Sequence, residues 1–215
     1  MTAAPTAELS FAHAFAEALR GGDCHLVGLD DGPVPLPVGR WRSNADTEDC
    51  ALLDHCVGHT IDVGCGPGRM SEQLMARGHG VLGIDLVAEA VRQARRRGVA
   101  ALRRDVFAQL PGEGRWDTVL LADGNIGIGG DPEALLERAV ELLGPHGRVV
   151  VDLVPPGTGV VTRLLAIRTT GGTTRPFRWT TVAADAIAPL AARVGLPGCA
   201  VHQLAGRWLA VLERR

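Results

Sequence analysis

Tyrosine and lysine are both absent from the 215-residue sequence, so all 22 basic residues are arginines. Without lysine, the chain has no Walker-type phosphate-binding lysine, no Schiff-base lysine and no protein-kinase lysine. Without tyrosine and lysine together, it also lacks the catalytic pair of short-chain dehydrogenases. The absence of tyrosine further removes one common catalytic base and one common partner for cation–π contacts.

Strong charge bias and long apolar runs are also absent. The formal net charge is −2, from 22 basic and 24 acidic residues, which argues against nucleic acid as a partner. No run reaches the 18 uncharged apolar residues of a membrane span. The first 20 residues lack the basic start of a signal peptide. We therefore expect a cytoplasmic protein that has no membrane partner.

The five cysteines fit neither a disulfide framework nor a metal site. Their odd number and irregular spacing indicate reduced thiols in a cytosolic protein. They also lack the three-cysteine cluster of an iron–sulfur centre. Cys50, His55, Cys56 and His59 form the only group of possible metal ligands, and their spacing matches no standard zinc pattern. The sequence therefore predicts no bound metal.

Short apolar runs alternate with helical segments through the centre of the chain. The predicted strands are 60–63, 80–84, 100–103, 118–122 and 148–154, and the predicted helices are 69–77, 87–97, 132–143 and 183–194. A further helix is predicted before the first strand, capped by Asn44 or Asp46 and ending at about Val57. Strands that are separated by helices indicate right-handed crossovers and a mostly parallel sheet. This pattern predicts a Rossmann-like, doubly wound α/β fold with helices on both faces of the sheet.

Additions are predicted outside this alternating core. An amphipathic helix over 7–19 and an irregular hairpin over 25–41 make residues 1–43 an extension packed on the main domain, which covers residues 44–215. The pattern changes after Pro155-Pro156, where a hairpin near 158–182 is predicted as an insertion. Residues 201–204 and 208–212 flank a turn and predict an antiparallel hairpin at the edge of the sheet.

The strongest local signal is a glycine-rich turn in residues 61–69, Ile-Asp-Val-Gly-Cys-Gly-Pro-Gly-Arg, where a buried strand meets a helix. Glycines let a ligand approach the backbone, and open α/β sheets bind ligands at this edge. Asp85 follows the second strand, 21 residues after Gly64, where it could bind both ribose hydroxyls or cap the next helix. Asp105 follows the third strand and could reach an adenine amino group or pair with Arg103 or Arg104.

The glycine spacing argues against a nicotinamide dinucleotide. Gly64, Gly66 and Gly68 form Gly-x-Gly-x-Gly, whereas the dinucleotide fingerprint has its third glycine at the position of Arg69. Asp62 precedes the first glycine by two residues, where a carboxylate would repel a pyrophosphate and could accept hydrogen bonds from a cationic amino group. An oxidoreductase is therefore disfavoured.

Residues 62–68, Asp-Val-Gly-Cys-Gly-Pro-Gly, resemble motif I of the class I S-adenosylmethionine-dependent methyltransferases. Four further segments resemble later motifs of that family, namely Asp85, Asp105-Val106, Trp116–Asp123 and Leu142–Val151. The resemblance covers roughly residues 46–154. It implies S-adenosyl-L-methionine as the cofactor and a seven-stranded, mostly parallel sheet with an antiparallel last strand.

The resemblance also implies which residues form the site. The expected cofactor-binding residues are Asp62, Gly64, Cys65, Gly66, Gly68, Arg69, Asp85, Leu86, Asp105, Val106, Ala122 and Asp123. The loop over 123–130 should face the methyl group, and Asp123 and Asn125 are its predicted catalytic residues. Four glycines within seven residues of that loop predict close approach to a ligand, or else a plain flexible connection. The Asn/Asp-Pro-Pro-Tyr sequence is absent, which disfavours methylation of DNA bases or protein glutamine.

Arg40, Trp41 and Trp179 are the predicted substrate residues, although the first two could instead anchor the extension. The arginines within 160–182 fit an anionic or aromatic substrate, or simply keep an exposed hairpin soluble. The chain has little room for a domain that binds macromolecules, so a small molecule is the predicted methyl acceptor, and transfer is by in-line displacement. A monomer or homodimer is expected. Two alternatives are a cofactor-dependent enzyme of non-methylating chemistry, such as cyclisation, and a non-catalytic cofactor-binding scaffold.

Overall fold

The chain folds into two β-sheets in a computed structural model that describes residues 7–204 and 206–214. Its strands are β1 (Glu8–Leu9), β2 (Cys24–Val27), β3 (Val34–Pro35), β4 (Thr60–Val63), β5 (Val81–Asp85), β6 (Ala101–Arg103), β7 (Trp116–Leu121), β8 (Leu143–Leu153), β9 (Val160–Thr169), β10 (Gly172–Thr174), β11 (Phe177–Val182), β12 (Gly198–Leu204) and β13 (Arg207–Glu213). Its helices are α1 (Phe11–Leu19), α2 (Val38–Arg42), α3 (Thr47–Leu53), α4 (Arg69–Ala76), α5 (Ala88–Arg96), a 3-10 helix η1 (Asn125–Gly130), α6 (Pro132–Leu142) and α7 (Ile187–Arg193). The first six residues of the predicted extension and Ala205 of the predicted C-terminal turn lie outside the described residues.

The central sheet has seven strands in the order β12-β13-β8-β7-β4-β5-β6. Strands β4 to β8 are parallel, whereas β13 runs antiparallel to both of its neighbours, β8 and β12. The predicted Rossmann-like α/β fold with a reversed last strand is therefore confirmed. The reversal follows from the short connection between β12 and β13, because a tight turn joins only antiparallel strands.

Both faces of the central sheet are covered by helices, and β7 shows this in its alternating side chains. Val119 and Leu121 pack with α6 and α7 on one face, whereas Leu120 packs with α3 and α4 on the other. All three residues are fully buried. A strand buried on both faces reads as a continuous apolar run, which is how β7 stands out in the sequence.

A second sheet contains strands from both additions to the core, the N-terminal extension and the insertion, and we call it the roof sheet. Its strands lie in the order β1-β10-β9-β2-β3, and β11 pairs with β9. The N-terminal strand β2 pairs antiparallel with β9, so that Leu26 lies opposite Ile167. Helix α1 lies between this sheet and the central domain, since Ala14 and Ala18 pack with Ile167 while Leu19 packs against α5.

Several predicted element boundaries were wrong, and each error has a local cause. Helix α7 begins at Ile187 rather than at residue 183, which places Pro189 in the first turn, where its missing N–H costs no helical hydrogen bond. Helix α3 starts after Asp46, which forms a reciprocal capping box with Asp49, and ends at Leu53 rather than near residue 57. No helix within the described residues is long and apolar enough to cross a membrane.

Candidate active site

A cavity of about 580 Å³ lies between the carboxyl edge of the central sheet and the roof sheet. Eleven of the twelve predicted cofactor-binding residues line it, and so do Asn125, Trp41 and Trp179. Gly68 and Arg40 do not line it. The loops after β4, β5, β6 and β7 form one wall, which we call the floor, and the roof sheet with α1 and α2 forms the other.

The glycine-rich turn uses its three glycines for different purposes. Gly64 has a φ of +71°, and a Cβ at this residue would lie 2.8 Å from the Asn125 Nδ2 atom. Gly66 has a φ of +53°, and a Cβ there would meet nothing within 4 Å, so the turn is open beside it. Gly68 brings α4 against α5, because its Cβ would lie 2.9 Å from that of Ala94. The first two glycines therefore shape the cavity wall, and the third serves helix packing.

Asp62 is a buried carboxyl group at the end of β4 with a single side-chain hydrogen-bond donor. The Ser71 hydroxyl donates to its Oδ2 at 2.6 Å. Burial raises the pKa of Asp62 to about 7, the Ser71 hydrogen bond opposes this, and the nearby carboxylates of Asp123 and Asp85 add to the increase. An unpaired negative charge in this position is costly, so Asp62 is poised to bind a cationic group.

Asp85 links the second strand to the glycine-rich turn. Its Oδ2 accepts from the Gly66 backbone N–H at 3.0 Å, and its Oδ1 accepts from the Val87 N–H at 2.7 Å. Burial raises its pKa, and these two backbone hydrogen bonds oppose the increase. The carboxylate still has free lone pairs, and it borders the cavity. It thus fixes the turn and remains able to accept hydrogen bonds from a ligand.

The end of the cavity beside β6 is more open. Asp105 is exposed and accepts a hydrogen bond from the Phe107 backbone N–H at 3.0 Å. It forms no ion pair with Arg103 or Arg104 within the described part of the chain. Leu86 is 48% exposed beside it. An apolar side chain next to a free carboxylate suits a flat heterocycle with an amino group.

Asp123 is held in a buried network of charges, which sequence analysis did not find. Both of its oxygens accept from the Arg69 Nη2 at 2.7 Å, and Oδ1 also accepts from the Arg207 Nη2 at 3.1 Å. Asp49 binds both arginines, and Asp152 forms a bidentate pair with Arg207 at 2.8 and 2.9 Å. Asp123 also has a φ of +53°, the only non-glycine residue among those described with a positive φ.

Asn125 anchors the loop after β7 to the glycine-rich turn. Its Nδ2 donates to the carbonyl oxygens of Val63 at 2.8 Å and Gly64 at 3.1 Å. Neither predicted catalytic residue is therefore free to act as a base, because Asp123 binds two arginines and the Asn125 amide binds backbone. Both residues position the loop, and their catalytic role stays a prediction.

The glycines of the 123–130 loop allow strand β11 to pack directly on it. A Cβ at Gly127 would lie 2.7 Å from the Trp179 Nε1, and a Cβ at Gly130 would overlap the Arg178 Cβ. The Thr180 hydroxyl donates to the Gly130 carbonyl oxygen at 2.9 Å. At these two positions, glycine serves contact with the insertion rather than flexibility.

Aromatic side chains dominate the roof, although they are scarce in the sequence. The chain has four phenylalanines and four tryptophans. Five of these eight line the cavity, namely Phe11, Phe15, Trp41, Phe177 and Trp179. Trp41 stacks on Phe15 with ring centroids 5.4 Å apart, and Phe177 meets Phe11 edge-to-face at 5.0 Å. The sequence analysis did not predict three of the five as site residues, namely Phe11, Phe15 and Phe177. The clustering of the rare aromatic residues in two segments of the chain could have indicated them.

The remaining predicted groups lie apart from the cavity. The Arg40 guanidinium lies 3.5 to 3.8 Å from the carboxylates of Asp46, Glu48 and Asp49, so it links α2 to the start of α3. The five cysteines are free thiols. No group of three or more histidine, cysteine, aspartate or glutamate side chains in the described ranges is arranged to hold a metal ion.

Comparison with known proteins supports the same family. The profile described as a methyltransferase domain matches residues 60–147. Trans-aconitate 2-methyltransferase of Paracidovorax citrulli is 34% identical over 99 residues, which cover 44% of this chain and 38% of that protein. Ubiquinone biosynthesis O-methyltransferase of Psychrobacter cryohalolentis is 29% identical over 126 residues, which cover 54% and 49% of the two chains.

A solved structure matches over a larger part of the chain. The SAM-dependent methyltransferase of Bacteroides fragilis, crystallised with S-adenosyl-L-homocysteine, superposes with a TM-score of 0.79 and 20% identity, and covers 96% of this chain and 97% of its own. The alignments with the two curated methyltransferases, by contrast, span less than half of the length of each of those proteins. The motifs, the reversed last strand and the matched profile agree, and they support a class I S-adenosylmethionine-dependent methyltransferase domain.

Proposed function

We propose that this chain transfers a methyl group from S-adenosyl-L-methionine to a small-molecule acceptor. The observation that carries the proposal is the two-sided cavity. Its floor combines Asp62, Asp85 and Arg69 around the glycine-rich turn, and its roof is aromatic and apolar. A volume of about 580 Å³ falls within the range of small-molecule sites.

The floor fits the amino-acid end of the cofactor. The Arg69 side chain is 3% exposed, and its Nε is a buried donor with no partner among the described residues. Asp62 offers a buried carboxyl group nearby on the same wall. One cationic and one anionic group suit a carboxylate and an ammonium, respectively. Arg69 and Asp62 would therefore hold the methionine portion.

Asp85 would hold the ribose, because its lone pairs can accept hydrogen bonds from two neighbouring hydroxyls. Leu86, Asp105 and Val106 would border the adenine at the more open end. The bound cofactor supplies an electrophilic methyl group, so the protein needs no nucleophile of its own. The chain's task is to align the acceptor with that methyl group and to exclude water, which the aromatic roof does.

The acceptor is proposed to be small because the roof sheet lies over the carboxyl edge of the central sheet and confines the cavity to about 580 Å³. Nucleic acid is not expected, since the net charge is −2. We place the enzyme in the cytoplasm as a monomer or homodimer, and its free cysteines support that location. No observation favours cyclisation or a non-catalytic scaffold.

Isothermal titration with S-adenosylmethionine, S-adenosylhomocysteine and NAD tests the cofactor assignment. We expect micromolar binding of the first two ligands and none of NAD. Binding of NAD alone would overturn the proposal. An acceptor screen that monitors both S-adenosylhomocysteine and the methylated acceptor then tests the reaction. Methyl transfer forms both products, whereas a cyclisation would release no methylated product.

A further inference from the structure

With the cofactor bound as proposed, the cavity offers no free side chain that could readily take a proton from a neutral acceptor, because Asp105, the exposed carboxylate of the lining, would border the adenine. None of the seven histidines lines it, and the sequence has neither tyrosine nor lysine. Asp123 binds two arginines, and Asp85 binds two backbone N–H groups. Burial raises the pKa of the Cys65 thiol, which keeps it protonated.

Asp62 is not available as this proton acceptor either. Its side chain is 1% exposed, lies at the end of β4 beneath the turn, and is bound by Ser71. In the proposed function, it holds the cofactor's ammonium group. A hydroxyl acceptor that must lose a proton during transfer would therefore find no base. An acceptor that is ionised before it binds would need none.

Arg178 supplies a positive charge on the same cavity wall as the aromatic side chains. It lines the cavity, is exposed, and has no ion-pair or side-chain hydrogen-bond partner in residues 7–204 and 206–214. Two other arginines of the insertion are paired, since Arg163 lies 3.5 Å from Asp30 and Arg175 lies 2.7 Å from Glu8. The fourth, Arg168, does not line the cavity. Only Arg178 also packs on the loop after β7, against Gly130.

The aromatic roof defines the rest of the acceptor. Trp41 and Trp179 come from opposite additions to the core and line one cavity. Flat side chains such as these favour flat apolar ligands, which stack or meet them edge-on. The cavity thus combines planar apolar walls with an unpaired cation beside them. Arg104 also lines the cavity and forms no ion pair with the described residues, but it follows β6 on the floor, at the proposed adenine end.

We propose that the acceptor is a planar apolar acid, ionised at neutral pH, which takes the methyl group on its ionised atom while Arg178 recognises its charge. The inference rests on the proposed function. In the transfer, a lone pair of the anion forms the new bond to the methyl carbon, and the carbon–sulfur bond electrons remain on sulfur. The sulfonium becomes a neutral thioether and the anion a neutral methyl ester or ether, so no proton is released.

The test uses the full chain saturated with S-adenosylhomocysteine, titrated calorimetrically with 1-naphthoate and with its neutral analogue 1-naphthamide. We expect naphthoate to bind at least about tenfold more tightly. Arg178→Gln should weaken naphthoate binding three- to tenfold and leave naphthamide binding unchanged. Arg175→Gln is the matched control, because it removes a paired arginine of the same insertion, and it should change neither affinity.

Equal affinities of naphthoate and naphthamide would overturn the proposal. It would also be overturned if Arg175→Gln weakened naphthoate binding as much as Arg178→Gln does. Failure of both compounds to bind the loaded protein would contradict the planar apolar class of acceptor. Failure of S-adenosylhomocysteine to bind would instead contradict the proposed function, and the preceding titration detects that outcome separately.

Discussion

The floor and the roof of the cavity are built in opposite ways. The floor comes from consecutive βα units, and its charged groups bind one another or the backbone of the turn. The roof comes from two segments that lie far apart in the sequence, and its side chains are mainly aromatic. The floor is thus encoded mainly by neighbouring segments of the sequence, whereas the roof depends on long-range strand pairing.

The largest expected effect tests whether the floor's charges depend on one another. Arg207→Ala leaves Asp49, Asp123 and Asp152 without their shared guanidinium, so we expect a loss of about 3–5 kcal/mol in the free energy of unfolding, measured by urea titration. Arg193→Ala is the control, because Arg193 pairs with Glu133 on the surface, and it should change stability much less. Similar losses in the two variants would show that the network adds nothing beyond an ordinary ion pair.

The next effect separates ligand binding from local folding in the floor. Asp85→Ala should weaken S-adenosylhomocysteine binding by about 1–3 kcal/mol, since a charged acceptor of hydrogen bonds is lost. Asp131→Ala is the matched control, because Asp131 also accepts from a backbone N–H, that of Ala134, but lies outside the cavity. It should lower stability by about 1 kcal/mol and leave the affinity unchanged. An unchanged affinity in the Asp85 variant would refute its assignment.

A smaller effect concerns the pH dependence of the floor. The pKa of Asp62 is about 7 in the free protein, so this carboxyl group is protonated below that pH and ionised above it. The ionised form binds an ammonium, so affinity should fall about tenfold per unit as the pH decreases below 7. Calorimetry between pH 5 and 7 would measure this slope. Asp62→Asn should bind weakly with no such slope, and a slope that persists would exclude Asp62 as its source.

The smallest expected effect tests whether the roof acts independently of the floor. Trp41→Leu should weaken 1-naphthoate binding to the loaded protein by about 0.5–1.5 kcal/mol, the contribution of an aromatic contact. Binding of S-adenosylhomocysteine should change little. Trp116→Leu is the control, because Trp116 begins β7 and does not line the cavity. If the Trp41 variant bound both 1-naphthoate and S-adenosylhomocysteine more weakly, and to a similar extent, the two walls would form one energetic unit.

The sequence predicted the floor well because its geometry is local. A buried strand, three glycines and a helix start occupy residues 61–69, and Asp85 follows the next strand at a characteristic distance. Parallel strands bring their carboxyl ends together, so these residues had to meet at one edge of the sheet. The number of strands in the central sheet and the reversed β13 followed from the family resemblance together with the C-terminal hairpin.

The roof could not be predicted in the same way. Helix α1 and the insertion were each identified, yet nothing in either segment indicates that β2 pairs with β9. Register between distant strands depends on the surfaces that they cover rather than on their own patterns. Arg207 was missed for the same reason, because its partners Asp49, Asp123 and Asp152 come from three other elements.

The pairing of β2 with β9 has a consequence for how the chain is made. During synthesis, β2 emerges about 140 residues before its partner, so the ribosome completes the five parallel strands β4 to β8 before the roof can close. Until then, Cys24–Val27 is an unpaired strand edge, and α1 has no sheet to cover. We therefore expect nascent chains that stop before residue 160 to bind chaperones through these N-terminal segments.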